Sequence, residues 1–234
     1  MEHSGHMQLN ETIRSGAGFD VVEPSDMMTL CGFRDELLKR TGANSLDDLR
    51  GKVSQMPNAE VNQTMVKLLG FTEASSLIAT AFSSTVKALC GDQLLLQRRA
   101  TIIMNLPGDN QRRQWPHYEM MSGISPTTFT LWMPLHDIDD DAGIFYVEDK
   151  ESNHIMREEY SRGLVNSPQI TELLGDRIPS RLKYGQAIVF NPFIIHGNVA
   201  FVSNLARIAV SIRFQSLSDP IHQKNTDYFK SFYL

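Results

Sequence analysis

The sequence predicts a mainly β fold with N-terminal helices, its strands spaced as in a sandwich or jelly roll. Three observations carry this expectation. From about residue 93 the chain divides into short β-rich runs: QLLLQRR, ATIIMNL, TTFTLWMPL, GIFYVE, QAIVFN and ARIAVSIRF. Pro, Gly, Asn and Asp punctuate these runs, as turns between short strands require. Before residue 93 the apolar residues recur at helical spacing instead.

The elements follow in order within a single expected domain, residues 1–234. Residues 1–92 form a mostly helical part, 93–217 the β core with an insertion at 150–178, and 218–234 a C-terminal helix or arm. Gly5-His6-Met7 resembles a cloning remnant. Ser25 precedes the helical stretch MMTLCGFRDELLKR, and Gly42 supplies its stop. Ser45 and Asp48 make a capping-box-like start for LDDLRGKVSQM, with Asp in place of Glu. Thr72 opens a third helix over EASSLIATAFSSTVKAL, ending near Gly91. No His or carboxylate cluster at metal-ligand spacing occurs here, so these helices are assigned packing or self-association. The insertion reads as a polar stretch followed by a short helix, SPQITELLG.

Composition narrows the function. Among 234 residues, 41% are apolar and 21% charged, an ordinary globular balance. The formal net charge of -5 argues against a nucleic-acid partner, since phosphate binding needs clustered cations. The pairs Arg98-Arg99 and Arg112-Arg113 are too short to change that. No apolar run reaches membrane-spanning length, and the N-terminus has no hydrophobic signal core. A cytoplasmic protein acting on a small molecule is expected. Cys31 and Cys90 lie in helical apolar patterns and read as buried free thiols.

The chemistry concentrates in WPHYEM. In a strand, residues i and i+2 share a face, so His117 and Glu119 point together and Tyr118 points away. A third ligand is available from His196 in FNPFIIHGN. Two histidines and a carboxylate leave three metal positions open, the arrangement of Fe(II) oxygenases that bind a cosubstrate and O2 together. Eleven residues beyond His196 stands Arg207, opening RIAVSIRF. Arg207, Ala209, Ser211 and Arg213 share one face of that strand; Ile208, Val210, Ile212 and Phe214 share the other. The second face reads as core, and the first as the wall of a cavity. A buried arginine needs an anionic partner, and its fork matches a carboxylate. The far carboxylate of 2-oxoglutarate is one such partner; a structural salt bridge is the other. In TTFTLWMPL, Thr128, Thr130 and Trp132 share a face. Trp132 reads as a cosubstrate wall or as core, Thr130 as a hydrogen-bond donor, and Asn105 as a further pocket residue. Arg213 is the candidate for an anionic substrate. His136 and His154 read as non-ligands, and Asn198 and Asn204 as turn residues.

Taken in order, four segments resemble the phytanoyl-CoA dioxygenase-like branch of the Fe(II)/2-oxoglutarate oxygenases: MNLPGDNQRRQWPHYEM, TLWMPLHDIDDDAGIFYVEDKESN, YGQAIVFNPFIIHGN and SNLARIAVSIRF. The resemblance spans about residues 97–216. It implies iron at His117, Glu119 and His196, 2-oxoglutarate at Arg207 and Trp132, O2 as oxidant, and the double-stranded β-helix. Two departures stand out. The acidic ligand is Glu where Asp is commoner. Ser152-Asn153-His154 replaces a Pro-Gly-Ser-His-like segment, which points to an altered lid or substrate entry. A retained carboxylate favours hydroxylation over halogenation. The substrate expected for a protein of this size is a small metabolite or a carbohydrate or nucleotide-sugar intermediate. The rival readings are a cupin-like metalloenzyme that does not use 2-oxoglutarate and a non-catalytic jelly-roll binding module.

Overall fold

A computed structural model describes residues 2–108, 116–138, 144–146, 150–163, 178–179, 181–198, 203–221 and 227–234. Its elements begin with α1 (Glu2–Arg14), β1 (Phe19–Val22), α2 (Met27–Thr41), α3 (Leu46–Gln55), α4 (Asn58–Leu69), α5 (Ala74–Ala81) and α6 (Ser83–Cys90). Then come β2 (Gln93–Gln97), β3 (Thr101–Asn105), a 3-10 turn at Glu119–Ser122, β4 (Phe129–Pro134), β5 (Ile144–Tyr146) and α7 (Lys150–Ser161). The chain closes with β6 (Ile178–Pro179), β7 (Ala187–Phe190), β8 (His196–Asn198), β9 (Arg207–Ser216) and β10 (Phe229–Tyr233).

Helix α2 buries Leu30, Phe33 and Leu37, one apolar stripe at helical spacing. Gly42 ends it at φ 67°, the left-handed conformation that glycine adopts without a Cβ penalty. Its N-cap is Asp26, whose carboxylate accepts the Thr29 N–H at 3.0 Å, rather than the expected Ser25. Ser25 serves a different helix end. The single helix expected over residues 73–89 is two, α5 and α6, broken at buried Phe82. Ser25 Oγ donates to the Ala81 carbonyl and accepts from the Ser84 N–H, each at 3.2 Å. The break therefore has partners for backbone groups that a continuous helix would pair internally. In α3, Ser45 accepts from the Asp48 N–H at 3.0 Å. Asp48 reaches back one residue further than a capping box would, accepting from Asn44 N–H at 2.7 Å.

All strand pairing among the described residues is antiparallel. The larger sheet runs β1-β7-β4-β9-β2-β10, with β3 also paired to β9; the smaller runs β6-β5-β8. Strand β9 is the hub. One edge pairs β4, and the other pairs β3 along its first half and β2 along its last. Its alternation divides as the sequence predicts. Ile208, Val210, Ile212 and Phe214 join α1–α6 residues in the main core, together with Phe129, Leu131 and Met133 of β4. Ala209 and Trp132 belong to a separate cluster on the opposite side, with Phe19, Ile188, Phe190 and Ile194.

Three further differences from expectation have physical causes. The C-terminal segment is neither a helix nor a loose arm: Phe229–Tyr233 extends the sheet by pairing with β2, a partner more than 130 residues away in sequence that local pattern cannot reveal. The polar stretch after residue 150 is helix α7, and buried Asn153, Met156 and Tyr160 lie at i, i+3 and i+7 on its inner face. WPHYEM is not a continuous strand; only His117 makes a β-bridge before the chain turns at Glu119. The expected helix at 167–175, the Arg112-Arg113 pair and the acidic turn at 139–141 lie outside the described residues. No described helix is long and apolar enough to cross a membrane.

Candidate metal centre

His117 and His196 are opposite one another across an antiparallel bridge. His117 N–H donates to the His196 carbonyl at 2.9 Å, and His196 N–H returns the bond at 2.8 Å. Directly opposed residues in such a pair project their side chains to the same face, and the two ring centroids are 4.3 Å apart. Tyr118 is extended, at φ -127° and ψ 152°, so Glu119 returns to the His117 side before the turn begins. Tyr118 points away and stacks on Tyr160, with centroids 6.2 Å apart. Ligand-capable atoms of His117, Glu119 and His196 all lie within 4.8 Å of one another.

The electrostatics suit a cation. His196 Nδ1 lies 3.0 Å from the Ile194 carbonyl. A carbonyl can only accept, so the proton belongs on Nδ1 and Nε2 keeps its lone pair for the site. Burial, with His117 beside it, pushes the His196 pKa down to about 4, which keeps the ring neutral at pH 7. For Glu119, burial works against ionisation, but the Arg213 guanidinium beside it outweighs burial and holds the carboxyl below its ordinary pKa. Two imidazoles and a carboxylate converging at one place are a donor set that a divalent transition ion takes.

One neighbouring helix, α7, braces both histidine segments. Asn153 Oδ1 accepts the Ile195 N–H at 2.8 Å, and Tyr160 Oη donates to the Pro116 carbonyl at 2.9 Å. Helix α7 thus fixes the residue immediately before each histidine. Within Ser152-Asn153-His154, the segment expected to alter a lid or substrate entry, Asn153 is a buried brace on the histidine segment. His154 instead pairs with exposed Glu158 at 3.5 Å. His136 is also no part of the triad. Its Nδ1 meets the Asp137 carbonyl at 2.7 Å, and its Nε2 accepts the Ile208 N–H at 3.3 Å, pinning the start of β9.

Arg207 is 1% exposed. Its Nη2 donates to Asn105 Oδ1 at 2.6 Å, and its guanidinium lies 5.7 Å from the Trp132 ring centroid. Burial lowers its pKa to about 10. Asn105, Trp132 and Arg207 are therefore brought together. Thr130 lies two residues before Trp132 on β4, buried, between Phe190 and Arg213 in the cross-strand register and so toward the other end of β9 from Arg207. Small Ala209 and Ser211 separate Arg207 from Arg213 along the same face. Arg213, the candidate for an anionic substrate, has Glu119 as its neighbour. Its Nε donates to Glu119 Oε2 at 2.9 Å, and its Nη2 forms an ion pair with the same oxygen at 2.6 Å. Gln97, Asn153, Tyr160 and Tyr228 were not foreseen as parts of this site. Only Asn153 carried a signal, as a departure from the family pattern. Cys90 is buried, its thiol pKa pushed up to about 12, and Cys31 is half-buried.

No family model and no curated protein matches the chain. Solved structures do match in fold. The epimerase SnoN in complex with Fe3+, alpha ketoglutarate and nogalamycin RO aligns at TM-score 0.56 and 13% identity, over 97% of this chain and 89% of its own. EctD from S. alaskensis aligns at 0.57 and 13%, over 92% and 78%. The non-heme alpha ketoglutarate dependent carbocyclase SnoK from nogalamycin biosynthesis aligns at 0.54 and 14%, over 96% and 95%. At these identities the likeness is one of fold: the chain shares the antiparallel, helix-backed architecture of non-heme, alpha-ketoglutarate-dependent enzymes.

Proposed function

We propose that this chain is an Fe(II)- and 2-oxoglutarate-dependent dioxygenase of the phytanoyl-CoA dioxygenase-like type, hydroxylating a small metabolite or a carbohydrate or nucleotide-sugar intermediate. The observation that carries the reading is the convergence of His117, Glu119 and His196. Those three side chains would hold the iron. Arg207 would bind the far carboxylate of 2-oxoglutarate, with Asn105 orienting its guanidinium and Trp132 and Thr130 walling the cosubstrate. A dicarboxylate placed there would restore the favourable surroundings that burial removes from the Arg207 charge.

The bound iron and cosubstrate would supply the oxidising chemistry, with 2-oxoglutarate and O2 consumed and succinate and CO2 released. The chain's own part is positional. The backbone bridge sets the histidines side by side, and Ile194 holds the His196 tautomer. Trp132 and the Phe190 ring, 4.6 Å from His196, exclude water from one side. Succinate formation across a panel of small carbohydrates, nucleotide sugars and polar metabolites tests the reading. Succinate should appear only with Fe(II), and faster with a true substrate. O2 uptake independent of 2-oxoglutarate would favour the cupin-like metalloenzyme, with Arg207 structural through Asn105 and Trp132. A protein that binds no divalent ion would be a binding module.

A further inference from the structure

Glu119 offers two oxygens, and the structure treats them differently. Oε2 accepts a hydrogen bond from Arg213 Nε and lies in ion-pair contact with its Nη2, whereas Oε1 faces His196 Nε2 at 3.7 Å. Arg213 is itself held from three directions. Its Nη1 donates to the Tyr228 hydroxyl, and its backbone N–H donates to Gln97 Oε1 at 2.9 Å. On the opposite strand its register neighbour is Thr130. The Gln97 bond has a topological origin. Strands β2 and β3 pair with successive stretches of the same β9 edge, Leu94–Leu96 and Thr101–Asn105. Residue 213 falls in the gap between them, and the Gln97 side chain supplies the acceptor that a continuous ladder would have provided. Gln97 is tied in turn to Arg99 and Thr101. Tyr228 is delivered by the C-terminal strand, with Arg98 N–H donating to its carbonyl at 2.9 Å.

We infer that Arg213, braced by Tyr228 and Gln97, is a positioning residue that confines Glu119 to metal ligation through Oε1 alone. The inference rests on the metal centre proposed above. It also accounts for Glu in place of the commoner Asp, because the longer side chain spans from the histidines to the arginine. A carboxylate free to swing could ligate through both oxygens and fill a coordination position needed beyond the cosubstrate. An arginine fork restrains it by geometry as well as by charge.

The test counts exchangeable water on Mn(II), by water-proton relaxation, in the full-length protein saturated with Mn(II) and 2-oxoglutarate. In the wild type the complex should retain a metal-bound water. In Arg213→Gln it should lose that water while Mn(II) affinity falls by no more than about threefold, well under the tenfold that 1.4 kcal/mol would give. Arg213→Lys, which keeps the charge and a hydrogen-bond donor, should retain it, and provides the reading if the glutamine variant does not fold. A merely structural role would lower the melting temperature without changing the water count. Retention of the water in Arg213→Gln, or its loss in both variants alike, overturns the inference while leaving the metal centre standing. A wild-type protein that binds no Mn(II) overturns both.

Discussion

The two faces of β9 carry opposite chemistry on one stretch of backbone. On one side Ile208, Val210, Ile212 and Phe214 pack into the core shared with the N-terminal helices. On the other, Arg207 bonds Asn105, Arg213 bonds Glu119 of the candidate metal centre, and Ala209 packs with Trp132. The first face is held by non-directional burial, which tolerates approximate shape. The second is held by charge-assisted bonds to named atoms, where loss of a partner leaves a buried charge uncompensated. Damage on the first face should therefore appear as lost stability, and damage on the second as lost ligand binding.

The largest effect should come from Phe214→Ala. The ring is fully buried against Phe129, at 6.0 Å between centroids, and its removal should cost about 4 kcal/mol of unfolding free energy. Denaturant unfolding measures this, and metal affinity per folded molecule should be unchanged. A folded Phe214→Ala that has lost its metal affinity would break the separation. Next is Arg207→Ala. Removing a fork that binds a carboxylate should weaken 2-oxoglutarate about a hundredfold, or roughly 3 kcal/mol, while Mn(II) binding is spared. Equal cosubstrate affinity in that variant would put the cosubstrate elsewhere.

The hinge between the faces is His136, which accepts the Ile208 N–H. Burial lowers its pKa from 6.5 to about 4. Between those values the unfolded chain takes up a proton that the folded chain refuses, so its contribution to stability rises with pH across the window. It is fully present above pH 6.5 and is lost as the pH falls toward 4, at most about 3 kcal/mol. His136→Gln should flatten the acid limb of the stability profile; an unchanged slope would show that His136 does not titrate there. The smallest effect belongs to helix α7. Asn153→Ala should cost about 1 kcal/mol of stability and weaken metal binding severalfold by loosening the His196 segment. Calorimetric metal titration checks this, and unchanged affinity would leave α7 a packing element only.

How much of this was legible in the sequence follows the same division. The alternation of RIAVSIRF and of TTFTLWMPL could be read directly, because burial on one face of a strand writes period 2 into the residues. His117, Glu119 and His196 could be singled out by residue type and by the spacing to Arg207. What could not be read was long-range pairing. Nothing local tells that the C-terminal strand meets β2 and places Tyr228 on Arg213, or that Gln97 mends the ladder at that residue. The bond from Arg213 to Glu119 is likewise invisible in the local pattern. The Ser25 and Asp26 exchange has the same cause, since both can cap and only tertiary contact decides which helix end each receives.

The central claim is that the three side chains at the bridge form one iron site shared with 2-oxoglutarate. Anaerobic titration of Fe(II) and 2-oxoglutarate into the wild type and into His196→Ala, followed by visible absorption, tests it most directly. The wild type should develop a weak charge-transfer band that saturates with both additions, and the variant should develop none. A wild type without the band, or a variant that keeps it at full strength, would contradict the account.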